Sequence, residues 1–229
     1  MLALGIMPSY AVPGALLAEG AAVYRSIAAS GAEFLNHGNR RHTYFDEGEN
    51  RYRSCFFYDE QGLDVVEADI VGGDRAVRDI LGCIPRGFRT PHFGSFQTTR
   101  NLSFLHAVLK RLGYLYSSST SPFFSLRYGP IFKRFGLAEI PLSGGSSRAL
   151  TIIDTWNCFA DPARRLDAED YRAETVGLAR SLAGKAGILN YYADPSHILN
   201  ESAFFETMAQ LARMAQPANF SQILASRNE

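Results

Sequence analysis

Short β-like runs alternate with amphipathic helical stretches along this chain, at about thirty residues per unit. That spacing belongs to parallel strands joined by crossover helices, and it constrains the fold more than any other feature. Strand-like runs are predicted at residues 2–7, 33–36, 86–89, 114–116, 138–142, 150–153 and 187–192. Helices are predicted over 15–29 and 72–81, the second stopped by Gly82. A third is capped by Thr98, carries the stripe Leu102, Leu105, Leu109 and Leu112, and is closed by Gly113. Asp167 is placed to cap a helix through residue 183, with Asp170 near its positive end. Asn200 is placed to cap a last one that buries Phe204, Met208 and Leu211. Residues 38–60 show no clear period and are expected to form a long loop. Without a repeat or a linker, the expectation is a single α/β domain over residues 1–229, either a barrel or an open sheet.

Composition removes several function classes. The 229 residues are 46% hydrophobic, enough for a sizeable core, and their formal net charge is zero. A nucleic-acid partner would call for a basic excess, so none is expected. The 3 cysteines, Cys55, Cys83 and Cys158, are scattered and odd in number. They argue against a disulfide framework and for a reducing, cytoplasmic setting. No apolar stretch approaches the ~20 residues of a membrane span. The apolar N-terminal stretch lacks a basic start and is interrupted by Pro8 and Pro13, so it makes a poor secretion signal.

Three polar clusters each follow directly on a predicted strand. They are His37, the run Arg89-Thr90-Pro91-His92, and the run Asp194-Pro195-Ser196-His197. In parallel α/β folds the C-terminal strand ends form one rim, and ligands bind there. His37 and His42 are spaced to share one divalent ion, or else are loop histidines bonded locally. Arg89, beside a rigid proline, either orients a catalytic carboxylate or forms a structural ion pair. His92 is a ligand, a group behind one, or a ring packed on Phe93. Asp194 and His197 offer a proton donor or simply an Asp-Pro turn before the last helix. His106 lies within the 102–112 helix and reads as structural.

Taken in order, these runs resemble the NodB-homology polysaccharide deacetylases, carbohydrate esterase family four, and their allantoinase-like relatives. The run Phe34-Leu35-Asn36-His37 is similar to the approach to the family's metal-binding histidines. Gly87-Phe88-Arg89-Thr90-Pro91-His92-Phe93-Gly94 resembles its Gly-Phe-Arg-x-Pro motif. Asp154-Thr155-Trp156 is loosely similar to its Asp/Trp segment, and residues 191–198 to its late histidine strand. The resemblance implies a distorted (β/α) barrel with fewer than eight strands. It also implies a metal-dependent hydrolase that removes an N-acyl group from a sugar or related small amide.

By the same resemblance His37 and His42 are ligands to a divalent metal, usually zinc. Arg89, Asp194 and His197 are the catalytic residues, and the backbone N–H after Pro91 helps hold an oxyanion. Pro91, His92, Phe93 and Trp156 line the substrate, with Tyr44 and Phe45 as further edges of a shallow groove. The family's first motif, a strand ending Thr-Phe-Asp-Asp, has no counterpart here, since no Asp precedes Asp46. The expectation is that this strand lies upstream of Met1, so that the chain is truncated. The alternative is a non-catalytic homologue that binds carbohydrate or a partner.

Overall fold

The computed structural model describes residues 1–161, 163 and 166–226. The chain divides into two compact units, each assembled from separated stretches. A sheet unit takes Pro8–Ser119, Lys133–Glu139 and Asn219–Glu229; a second unit takes Met1–Met7, Thr120–Phe132 and Ile140–Ala218.

The sheet unit opens with β1 (Tyr10–Val12), α1 (Gly14–Glu19), α2 (Ala21–Ala29) and β2 (Phe34–Asn36). A hairpin of β3 (Thr43–Asp46) and β4 (Arg51–Ser54) follows. Next come α3 (Leu63–Leu81), β5 (Gly87–Phe88), α4 (Thr99–Arg111) and β6 (Tyr116–Ser117). After α5 (Pro122–Tyr128) in the second unit, β7 (Phe132–Arg134) and β8 (Leu137–Glu139) complete the sheet. The second unit then holds α6 (Ala168–Ser181), α7 (Pro195–Ile198) and α8 (Ser202–Met214), and α9 (Phe220–Ala225) returns to the sheet unit.

The sheet runs β1-β2-β5-β6-β8-β7 and does not close. Its successive pairings from β1 to β8 are parallel. Their register sets Val12, Asn36, Phe88, Ser117 and Glu139 in one row. The residues that follow in sequence, His37, Arg89 and Ser118, therefore leave the sheet along a common C-terminal edge. This row is what positions the candidate site.

Helices cover the sheet through two apolar clusters. Val66 and Ile70 of α3 and Leu105, Val108 and Leu109 of α4 pack with Phe88, Tyr114 and Leu137. Burying each of these leucines contributes about 1.5–3 kcal/mol. Leu17 and Val77 pack with Val12 and Phe34. At the opposite end of the sequence, Glu33 just before β2 accepts from the backbone N–H groups of Phe220 (2.9 Å) and Ser221 (3.2 Å). The Phe220 ring lies 5.4 Å from that of Tyr116, so α9 is stapled to the sheet from both sides. In the second unit Phe204 of α8 and Tyr171 of α6 anchor a core with Ile153, Cys158 and Leu166.

Several expectations need correcting. Residues 2–7 form a single 3-10 turn (Leu2–Leu4), and the first strand lies after Pro8, ending where Pro13 has no N–H to offer a ladder. The helix over 15–29 is two helices broken at Gly20, the residue least costly to take out of helical geometry. The stretch 38–60 contains the β3–β4 hairpin. Both its faces meet solvent, so no apolar alternation marks it. Helix α3 starts at Leu63 rather than residue 72, because Gly72 and Gly73 are close-packing positions and not a boundary: a Cβ on Gly72 would strike Asn39, and one on Gly73 would strike Asn36 and the Gly38 carbonyl.

Residues 150–153 and 187–192 form no strands. Asn190 is held instead through Ser143 N–H to its carbonyl (2.9 Å) and by its own side chain donating to Pro141 (2.9 Å). The last long helix starts at Ser202, and the residue before it, Glu201, makes no side-chain cap. Elsewhere the sequence signals hold: Gly82 is left-handed at the end of α3, Thr98 caps α4, and Asp167 forms a capping box with Asp170.

Candidate functional site

Four of the residues singled out in the sequence meet on the sheet unit's rim. The Arg89 carbonyl accepts from His37 Nδ1 at 2.7 Å. With its proton fixed there, His37 keeps the Nε2 lone pair for another partner. The ring of His42 stands 5.0 Å from that of His37, nearly perpendicular to it, and 5.9 Å from that of His92. His92 Nε2 donates to the Cys55 carbonyl at 2.8 Å and its ring stacks on Phe57. Three of the 5 histidines thus share one corner, although the sequence spaces them over more than fifty positions.

His42 is the unusual member. It is 5% exposed, and neither ring nitrogen has a hydrogen-bond partner among the described residues. Buried polar atoms are nearly always bonded, so two orphans on one ring call for an explanation. Burial, reinforced by the charges His37 and His92 would carry, pushes its pKa down to about 2. Burial also pushes His37 down to about 4, against the pull of the Arg89 carbonyl. Both rings are neutral at ordinary pH and present lone pairs, the form a metal takes. The backbone around them is strained. Phe56, stacked on His42, and His92 itself have φ of 55° and 53°, a left-handed geometry that bulky residues adopt at a cost of about 1–3 kcal/mol.

Arg89 is 7% exposed. It donates to Ser118 Oγ at 2.9 Å, and its guanidinium lies 5.2 Å from the Phe93 ring and 5.4 Å from that of Phe220. Pro91 is buried beside it and His92 and Phe93 are half-buried. Tyr44 and Phe45 lie exposed on the hairpin that springs from His42.

Asp194, His197 and Trp156 assemble separately, inside the second unit. His197 Nδ1 lies 3.3 Å from Thr155 Oγ1 and 3.5 Å from the Asp194 carboxylate, and its ring is 5.6 Å from Trp156. Trp156 opens a π-helical turn, Trp156–Ala160, a feature frequent at functional sites. Asp154, which precedes it, is buried and bonded by the Tyr192 hydroxyl and the Asn157 N–H. Burial raises its pKa, and these bonds offset only part of the rise.

The sequence did not point to Asp69 or the Cys55 carbonyl, and it named Thr155 and Tyr192 only as members of longer runs, without a role. Asp69 left a signal, because it sits on the buried stripe of α3 with Val66, Ile70, Gly73 and Val77, where an apolar residue is the rule. As a metal centre the corner is half fitted. Two imidazoles with lone pairs are present, but no three His, Cys, Asp or Glu side chains among the described residues form a set able to hold an ion.

An open sheet, parallel from β1 to β8 and wound with helices, is the fold of the deacetylase-type (β/α) barrels, and solved structures share it. The chain is similar to a candidate polysaccharide deacetylase from Mycobacterium smegmatis, with a TM-score of 0.66 and 19% identity over 98% of this chain and 73% of that one. It is similar to a PuuE allantoinase at a TM-score of 0.57 and 15% identity, over the whole chain (100%) and 64% of that protein. A family 4 carbohydrate esterase from Streptomyces lividans, solved with acetate, gives a TM-score of 0.51 and 12% identity, over 93% of this chain and 75% of the other. No family model and no curated protein sequence matches the chain.

Proposed function

We propose that this chain is a deacetylase-type hydrolase that cleaves the N-acyl group of a sugar or a related small amide. The observation that carries the proposal is the buried His42 ring with two unpartnered nitrogens, 5.0 Å from a His37 whose Nδ1 is already committed. A divalent ion such as zinc, when bound by these two rings, would polarise the acyl carbonyl and lower the pKa of water. Arg89 keeps a fixed positive charge beside the pair and orients an anionic group. The N–H of His92, after Pro91, is the donor that the reading gives to the developing oxyanion. Pro91, His92 and Phe93 are its substrate contacts on this rim. Within the second unit, Asp194 and His197 form a candidate acid–base pair by themselves, with Thr155 and Trp156 beside the imidazole.

Among the described residues no helix is long and apolar enough to cross a membrane, and the 3 cysteines are free. Free cysteines fit an enzyme of a reducing compartment.

Calorimetric titration with zinc tests the reading. Wild type should bind one equivalent, and His37→Ala and His42→Ala should lose it. Acetate should then appear from an N-acetylated sugar oligomer in zinc and stop when a chelator is added. A wild-type chain that takes up no zinc sinks the proposal. One observation favours a second reading: among the described residues no third His, Cys, Asp or Glu joins the pair in a set able to hold an ion. If so, the chain binds the oligomer equally well with chelator present and releases no acetate.

A further inference from the structure

Asp69 buries a carboxylate in the middle of α3 with only 3% exposure, on a stripe where an apolar side chain would pack. Such a group is costly unless its oxygens are fully used. All its hydrogen bonds run away from its own helix. Oδ1 accepts from the backbone N–H of Asn39 at 3.1 Å and of Arg40 at 2.8 Å, and Oδ2 accepts from the Tyr58 hydroxyl at 2.7 Å. Successive N–H groups of this kind make an anion-binding concavity, here filled from inside the protein.

The residue before those two completes the pattern. Gly38 has φ of 75°, and a Cβ on it would collide with the Asp69 carboxylate. Its N–H donates to Asn36 Oδ1 at 2.8 Å, and Asn36 is in turn fixed by donating to the Ile70 carbonyl at 2.8 Å. Three consecutive amides between His37 and His42 are therefore held from beneath by two side chains. The motif's ends are held as well, His37 at the Arg89 carbonyl and His42 through its own carbonyl, which accepts from Cys55 N–H at 2.7 Å.

We infer that Asp69 is a positioning residue: its carboxylate clamps the 38–40 backbone and thereby sets the spacing of His37 and His42. This rests on the metal-binding role proposed for the two rings. Asp69 bonds to the loop backbone and to Tyr58, not to either ring, and acts through the loop alone. Support of that kind typically changes metal affinity by about 10–100-fold.

The test measures zinc affinity by calorimetry and, in metal-free protein, hydrogen exchange of the Asn39 and Arg40 amides. Asp69→Ala should weaken zinc binding by about 10–100-fold and speed exchange of those two amides while the rest of α3 stays protected. Asp69→Asn keeps an acceptor oxygen for both amides, so protection and most of the affinity should be retained together. Tyr58→Phe removes only the outer bond and should have the smallest effect.

Unchanged zinc affinity in Asp69→Ala overturns the inference. So does an Asp69→Asn protein that loses zinc while both amides remain protected, an outcome that is decisive even if the alanine variant fails to fold. A wild type that binds no zinc instead removes the proposed function itself, and with it the role of Asp69.

Discussion

Two histidines are buried in the sheet unit, and their surroundings are opposite. His106 on α4 has both nitrogens engaged, Nδ1 with the Arg134 carbonyl at 2.8 Å and Nε2 with the Glu139 carboxylate at 3.1 Å. His42, equally buried, has neither engaged. Burial alone would raise Glu139, but His106, the Ser119 N–H and Ser117 reverse it, and its carboxyl lies below the usual range. A carbonyl on one side and a carboxylate on the other thus occupy both His106 nitrogens, and the ring's bonding capacity is spent inside the fold. His42 is a buried neutral ring with nothing to bond. The difference separates a histidine that holds the fold from one whose bonding capacity is held in reserve. It also shows why burial by itself does not reveal function.

The contrast can be broken experimentally, and the largest effect lies on the His106 side. Glu139→Ala leaves the buried His106 Nε2 and Ser119 N–H without their partner and should cost about 1–3 kcal/mol for each, read from the urea midpoint at neutral pH. A loss well under that would mean that the fold does not depend on the bonded state of His106, and the contrast with His42 would fade.

Acid should act next, and in two windows. His37 and His42 have folded pKa values near 4 and 2, below the ordinary 6.5, so the unfolded chain binds the extra protons. Stability of metal-free protein should be complete above pH 6.5 and fall from there towards pH 4, by at most about 1.4 kcal/mol per pH unit for each ring. Glu139 is depressed too, but its contribution starts to fall only near the ordinary carboxylate range. His42→Leu should roughly halve the slope between pH 6.5 and 4, where His37 still contributes, and remove the histidine share of the loss below pH 4, leaving that of Glu139. A metal-free profile with no slope between pH 6.5 and 4 would contradict the neutral, buried state of the two rings.

The smallest effect is one of sign. Replacing His42 by leucine removes two unsatisfied buried atoms while keeping an apolar body, so the metal-free protein should gain about 1 kcal/mol even as zinc binding disappears. Destabilisation on the scale of Glu139→Ala would place His42 with His106 among the structural histidines.

Much of this was legible in the sequence, and the limits were physical. The strand-end position of His37 and Arg89 could be read because Phe34-Leu35 and Gly87-Phe88 are short buried runs ending in polar residues. The caps at Thr98 and Asp167 could be read because each side chain has one local job. The β3–β4 hairpin could not, since both of its faces are wet and period two carries no apolar signal. Nor could the role of Asn190, whose side chain replaces a strand ladder by reaching residues about fifty positions away. Within the site, the pairing of His37 with His42 was visible from spacing. The approach of His92, the Cys55 carbonyl and Asp69 depended on how α3 and the strand ends fold back on the loop.

The staple between Glu33 and α9 bears on the order in which the protein can be made. Glu33 and Phe220 are separated by 187 positions, yet Phe220 lies against Tyr116 and Arg89 within the same unit. A ribosome therefore emits most of the second unit before the first can be finished. The rim carrying Arg89 stays without the Phe220 ring until synthesis has passed α9. Contacts of such separation form late and slowly, and in that interval the sheet's apolar face is the part of the nascent chain most in need of shelter.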